Sequence, residues 1–194
     1  MTSNPKSPET FYPKTNKEWR QWLQKNHSSK QSVWLIQYKK SANVETISWS
    51  DAVDQALCFG WIDSTRRPRD HETYMQYFTR RKPVSNWSKI NKAKVERLIE
   101  EGLMTPAGLK SIEIAKQNGS WSKLDSVEEL TIPKDLEKAF KAAKGSKDFF
   151  SGLSKSVKKM MLHWIIMAKR PETREKRIAE LVTLAAKKQK PKQF

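Results

Sequence analysis

The side chains best suited to chemistry gather in and beside two short stretches, LCFGWIDSTRR at 57–67 and FTRRKPVSNWSKIN at 78–91. Trp61, Asp63, Arg66, Arg69, Arg80 and Arg81 stand there among apolar and aromatic neighbours, and Asn86 and Trp87 follow. An aspartate that orients a guanidinium lets arginine grip a phosphate or carboxylate through two parallel N–H bonds. These eight residues are therefore the candidate ligand-binding set. Asp63 is also the candidate general acid or base, with Tyr74 or His71 as partner, if folding encloses it beside an arginine. The competing reading is a structural Asp–Arg pair on a sheet, a surface interaction of small worth.

Other chemistries find little support. Cys58 is the single cysteine, so neither an intramolecular disulfide nor a CxxC metal site can form, and its apolar neighbours predict a buried, inert thiol. His27, His71 and His163 show no ligand spacing, so neither a metal nor a cofactor is expected. Walker, dinucleotide-binding, GxSxG and kinase motifs are missing from the sequence. Asp51 is explained as favourable charge in the first turn of a helix.

The 194 residues carry a formal charge of +17, and it is clustered. Residues 64–94 hold +7 and residues 155–194 hold +9. Such clustering attracts anions, so the expected partner is an anionic small molecule or an acidic protein. Nucleic acid is the alternative, with Trp87 and Tyr77 stacking on bases while lysines and arginines hold phosphates, although no recognition motif accompanies the charge.

The elements that must position these residues follow from periodicity and punctuation. Thr15 and Glu18 form a capping box for a helix to about Asn26 carrying Trp19, Trp22 and Leu23. SVWLIQYKK (32–40) reads as a strand. Ser48 or Ser50 caps a helix ended by Gly60. Residues 61–67 and 73–80 then make an antiparallel hairpin, which puts Trp61 and Asp63 on one face. Ser88 caps a helix with Val95, Leu98 and Ile99 inward, and Thr105 with Pro106 starts another that stops at Gly119.

Further on, a helix is expected from Pro133 to about Ala143. Leu153, Val157, Met160, Met161, Trp164, Ile165 and Ala168 recur at helical spacing, and a last helix carries Ile178, Leu181, Val182 and Ala185. The fold class is α+β: a small antiparallel sheet with covering helices, then a helical C-terminal subdomain. The expected division is a disordered N-terminus at 1–10, an α+β domain at 11–130, the helical subdomain at 131–186 and a frayed basic tail at 187–194. No stretch has the length of a signal peptide core or a transmembrane helix, which with the lone cysteine predicts a cytoplasmic protein.

ALCFGWIDS (56–64), FTRRKPVSNWSKIN (78–91), GLMTPAGL (102–109) and AKRPETREKRIAELV (168–182) together resemble the YdeI/OmpD-associated family, also called bacteriocin-protection proteins. The resemblance spans about residues 11–190. It implies a largely uncharacterised protein, linked by name to a porin or to resistance against envelope-active peptides, and sometimes grouped with small α+β folds of the YjbR/CyaY type; the leading expectation is a non-enzymatic binder, with an enzyme acting on a small anionic substrate through Asp63 as an alternative. IDS stands here where the family often has IDG. Lys169, Arg174 and Arg177 match the family's basic C-terminal positions, a second candidate basic site. At helical spacing Arg174 and Arg177 share a face, suited to an anion or to acids of the first half.

Overall fold

The computed structural model describes residues 9–194, so most of the N-terminal stretch expected to be disordered, 1–8, lies outside the described residues. Two compact units result, one ending at Trp121 and the other running Ser122–Phe194.

In the first unit, β1 (Thr10–Phe11) leads to α1 (Asn16–Asn26), whose first turn is closed by the Thr15 side chain accepting from the Glu18 amide. β2 (Ser32–Tyr38) follows, then α2 (Trp49–Cys58), capped by Ser48. β3 (Trp61–Pro68) and β4 (Thr73–Arg80) form the expected hairpin. α3 (Lys89–Glu100) and α4 (Pro106–Gln117) are capped by Ser88 and Thr105.

The sheet order is β1-β2-β4-β3. β2 and β3 both pair antiparallel with β4, but β1 lies parallel to β2, so the sheet is mixed, a correction to the all-antiparallel expectation. Alternation along β2 and β4 turns Val33, Leu35 and Phe78 into the core with Trp19, Leu23, Leu57, Trp61 and Leu98. Ile99, expected inward, is 47% exposed, because Val95 and Leu98 alone fill the α3 contact. A bulge between Asp63 and Arg66 shifts the register of β3 on β4.

In the second unit, α5 (Asp125–Glu128) and α6 (Lys134–Ala142) precede α7 (Ser146–Gly152), α8 (Lys155–Ile166) and α9 (Pro171–Ala186). Leu136, Phe140, Phe150, Met161, Leu162, Ile165, Ile178, Leu181 and Val182 make its core. Met160, expected in that core, is 44% exposed. The tail is not frayed: Phe194 packs edge-on against Trp164, ring centres 5.7 Å apart, and its amide donates to the Pro191 carbonyl. Among the described residues no helix is long and apolar enough to cross a membrane.

Candidate functional site: a basic cavity at the open end of the hairpin

β3 starts at Trp61 and β4 ends at Arg80, and these two residues are register partners. Gly60 precedes them at φ 72°, a backbone conformation that disfavours side chains with a Cβ, and its carbonyl accepts from the Arg81 amide at 2.9 Å. The chain leaving α1 is drawn to this end by three bonds. Trp61 Nε1 donates to the His27 carbonyl at 3.2 Å, Arg80 Nε to the Lys30 carbonyl at 2.7 Å, and Arg80 Nη2 to the Ser28 carbonyl. From the other side α4 is pressed against the end of α2, with Gly108 at the contact and the Thr105 hydroxyl donating to the Cys58 carbonyl at 2.6 Å.

Between these elements lies a cavity of about 490 Å³. Arg80, Arg81, Lys82 and Lys110 line it with His27, and no carboxylate is among the lining residues. Charges of one sign inside a cleft with apolar walls focus the field on whatever enters. Phe59, Pro83, Ala107 and Ile114 supply carbon surface, and Ser28 and Ser111 supply hydroxyls.

Arg81 is the unusual member. Its guanidinium lies 3.6 Å from the centre of the Trp87 ring, and Nη2 donates to the Asn86 carbonyl. Nε and Nη1 are shut away from solvent without an acceptor among the described residues. Burial pushes this guanidinium down to about 10, against the opposing pull of the Asp63 charge, so it remains a cation at physiological pH.

His27 has an assigned tautomer on chemical grounds. Nδ1 is 3.0 Å from the Leu23 carbonyl, which can only accept, so Nδ1 carries the proton and Nε2 of the neutral ring is an acceptor.

Of the candidate set, Trp61, Arg80 and Arg81 line the cavity and the rest do not. Asp63 accepts from Trp49 Nε1 at 2.8 Å and Gln76 Nε2 at 3.1 Å, outside the lining, so it does not meet the requirement set for an acid or base. Arg66 stacks on Tyr74 at 4.4 Å and donates to Gln76 at 3.2 Å. Arg69 is exposed beside the turn at the opposite end of the hairpin. Asn86 and Trp87 support Arg81 rather than a ligand. Trp87 is 1% exposed and Tyr77 packs on Trp34 at 4.7 Å, so the pair offers no open platform for nucleobases.

In the second unit Arg174 grips Asp135 through Nε at 2.6 Å and Nη2 at 3.0 Å. The acid it pairs with therefore belongs to its own unit and not to the first half, and the guanidinium holds the Asp135 carboxyl below the usual carboxylate range. Arg177 donates to the Trp164 carbonyl and covers its ring at 5.1 Å, while Lys169 is exposed, so these three do not form one anion site.

His27, Lys82, Lys110 and Ser111 were absent from the candidate set. The signal on α4 was its spacing: Ala107, Lys110, Ser111 and Ile114 recur at i, i+3, i+4 and i+7 and so share a face. Cys58 is fully buried, as its neighbours predict, and burial pushes its thiol up. Among the described residues no cluster of His, Cys, Asp or Glu is placed to hold a metal ion.

Residues 11–111, just over half of the chain, match a domain of unknown function, DUF8412. Residues 129–188 match the family described as "Bacteriocin-protection, YdeI or OmpD-Associated". Three of the four resembling motifs fall in the first match and AKRPETREKRIAELV in the second. Comparison with curated proteins and with solved structures finds no match. The chain belongs to the family of the DUF8412 domain through residues 11–111, and its helical residues 129–188 match the YdeI/OmpD-associated, bacteriocin-protection family.

Proposed function

We propose that this protein is a cytoplasmic, non-enzymatic binder of a small anionic ligand, held in the cavity at the Gly60 end of the hairpin. One observation carries the reading: four cationic side chains and a histidine line a cavity of about 490 Å³ to which no carboxylate contributes. That volume lies within the range of small-molecule sites. It lies between strand ends, a helix end and the flank of α4, elements tied together by the Trp61, Arg80 and Thr105 hydrogen bonds. The family's link to bacteriocin protection would then run through sensing or sequestering that ligand.

Lys82 and Lys110 are exposed, so charge reversal at both leaves the core untouched. Titration calorimetry with inorganic phosphate, pyrophosphate and citrate is the test. Binding that survives moderate salt, and that weakens at least about tenfold in Lys82→Glu/Lys110→Glu, is expected. Equal affinity in the folded double variant would overturn the site. Affinity for long polyanions only, collapsing with salt, would replace it with a nucleic-acid surface.

A further inference from the structure

α8 carries more apolar surface than the core of the helical unit takes up. Met161, Leu162 and Ile165, on its inner face, are no more than 1% exposed. Met160, His163, Trp164 and, one residue past the helix end, Met167 recur at i, i+3, i+4 and i+7 and so form a second stripe, on which Met160 is 44% exposed. That stripe lines a groove of about 590 Å³ within the second unit, to which Val127 and Phe194 add carbon surface. The volume is that of a small-molecule site.

The charges around the groove are unequally matched. Glu128 and Lys159 pair with each other at 2.6 Å. Arg177 has no carboxylate partner among the described residues: its Nη1 donates to the Trp164 carbonyl, and its guanidinium covers the Trp164 ring at 5.1 Å. A mainly apolar groove with one uncompensated cation complements a carbon body that bears a single anionic group. The cavity of the first unit, with its four cations, makes the opposite demand.

The walls also bear on the kind of body. Trp164 is covered by Arg177 and met by the Phe194 ring at 72°, so its indole is engaged twice before any ligand arrives. The remaining carbon surface is Val127, Met160 and Met167. Methionine is unbranched and polarizable, and it adapts to flexible aliphatic shapes rather than stacking on flat ones. From Met160 to Met167 the stripe rises by about 10 Å, room for a chain of medium length.

We infer that this groove binds a free, single-chain aliphatic carboxylate, with its alkyl body along the methionine stripe and its head at Arg177. The site is separate from the anion cavity and does not depend on it.

The test is calorimetry of the full chain with decanoate, decyltrimethylammonium, acetate and naphthoate, below the concentrations at which the chains form micelles. One decanoate is expected per protein, bound at least about tenfold tighter than each of the other three. Met160→Glu changes an exposed side chain, so it should keep the fold and weaken decanoate at least about tenfold. Lys82→Glu/Lys110→Glu, in the first unit, should leave decanoate unchanged.

Four results would overturn the inference. Naphthoate as tight as decanoate removes the aliphatic body, and decyltrimethylammonium as tight removes the role of Arg177. Several weak decanoate sites that ignore Met160→Glu, or that vanish in the Lys82/Lys110 double variant, mean adsorption to the basic surface or binding in the other cavity. Attachment to phosphatidylglycerol vesicles without binding of free decanoate makes the stripe a membrane-facing surface instead.

Discussion

Gly108 is the point where the scaffold of the cavity is most easily broken, and Gly108→Ala gives a prediction whose sign is informative. The residue sits within α4, where propensity alone makes alanine better than glycine by about 1 kcal/mol. A Cβ built on Gly108 would lie 2.3 Å from the Cys58 carbonyl oxygen and 2.8 Å from its carbon. Ordinary contact begins near 3.4 Å, so α4 must retreat by about 1 Å from backbone that cannot swing aside. Overpacking of this kind costs about 1–3 kcal/mol. Retreat also strains the two bonds from Thr105 to the same Cys58 oxygen, worth about 1 kcal/mol each. The net expectation is a loss of about 2–3 kcal/mol. Seven of the eight tryptophans lie at or before Trp121, so denaturation followed by tryptophan fluorescence reports on this unit. Gly152→Ala, in open space at the end of α7, is the control and should be neutral or stabilising. A Gly108→Ala protein as stable as the parent would refute the close approach of α4 to α2, and with it the wall of the cavity.

Three other outcomes follow from local geometry. Asp54, 14% exposed, accepts from both Lys94 and Arg97, so Asp54→Ala should cost about 2 kcal/mol while Arg97→Ala, at a 45% exposed partner, should cost about 0.5 kcal/mol in denaturant melts. The Asp70 carboxylate is held down to about 2, first by the Thr73 hydroxyl and then by the Glu72 and Thr73 amides. Its folded value lies below its unfolded one, so its contribution is complete above about 4 and fades as pH falls toward 2. Carboxyl NMR titration should show this, and Asp70 titrating in the ordinary range would contradict the turn. Cys58 should resist a thiol reagent in native protein and react fully in denaturant; rapid native labelling would refute its burial.

The local parts of this fold were legible because their causes are local. Thr15, Ser48, Ser88 and Thr105 each accept from the backbone amide three residues on, and a sequence reader sees such caps as spacing. The strand alternation of β2 and β4 was equally visible. The candidate site was legible only in part. Trp61 and Arg80 face each other across the hairpin, a period-two consequence, but the bulge after Asp63 breaks that period and turns Arg66 to Gln76. His27 and Lys110 come from the end of α1 and the flank of α4, and only tertiary packing brings them together. Ile99 and Met160 show the opposite failure, apolar spacing wider than the packed face it was expected to fill.

The adjacent arginines of TRRKP do different work, and their replacement should separate the roles. Arg80 donates to two carbonyls that hold the loop after α1, bonds worth about 1.5–3 kcal/mol each when a charge is involved. Arg80→Met should therefore lower stability by about 2 kcal/mol or more and open the cavity wall. Arg81 lies over Trp87 with two nitrogens lacking an acceptor among the described residues, each such buried group costing about 1–3 kcal/mol. Methionine there would lose a cation–π contact of about 0.5–2 kcal/mol and one carbonyl bond, yet remove that cost, so the balance is near zero. Arg81→Met should fold about as well as the parent and bind phosphate at least about tenfold more weakly. Melting curves and calorimetry on the two variants read both quantities at once. Should Arg81→Met prove the less stable of the two and retain full affinity, the second arginine is architecture, and the charge of the cavity must be carried by Arg80, Lys82 and Lys110.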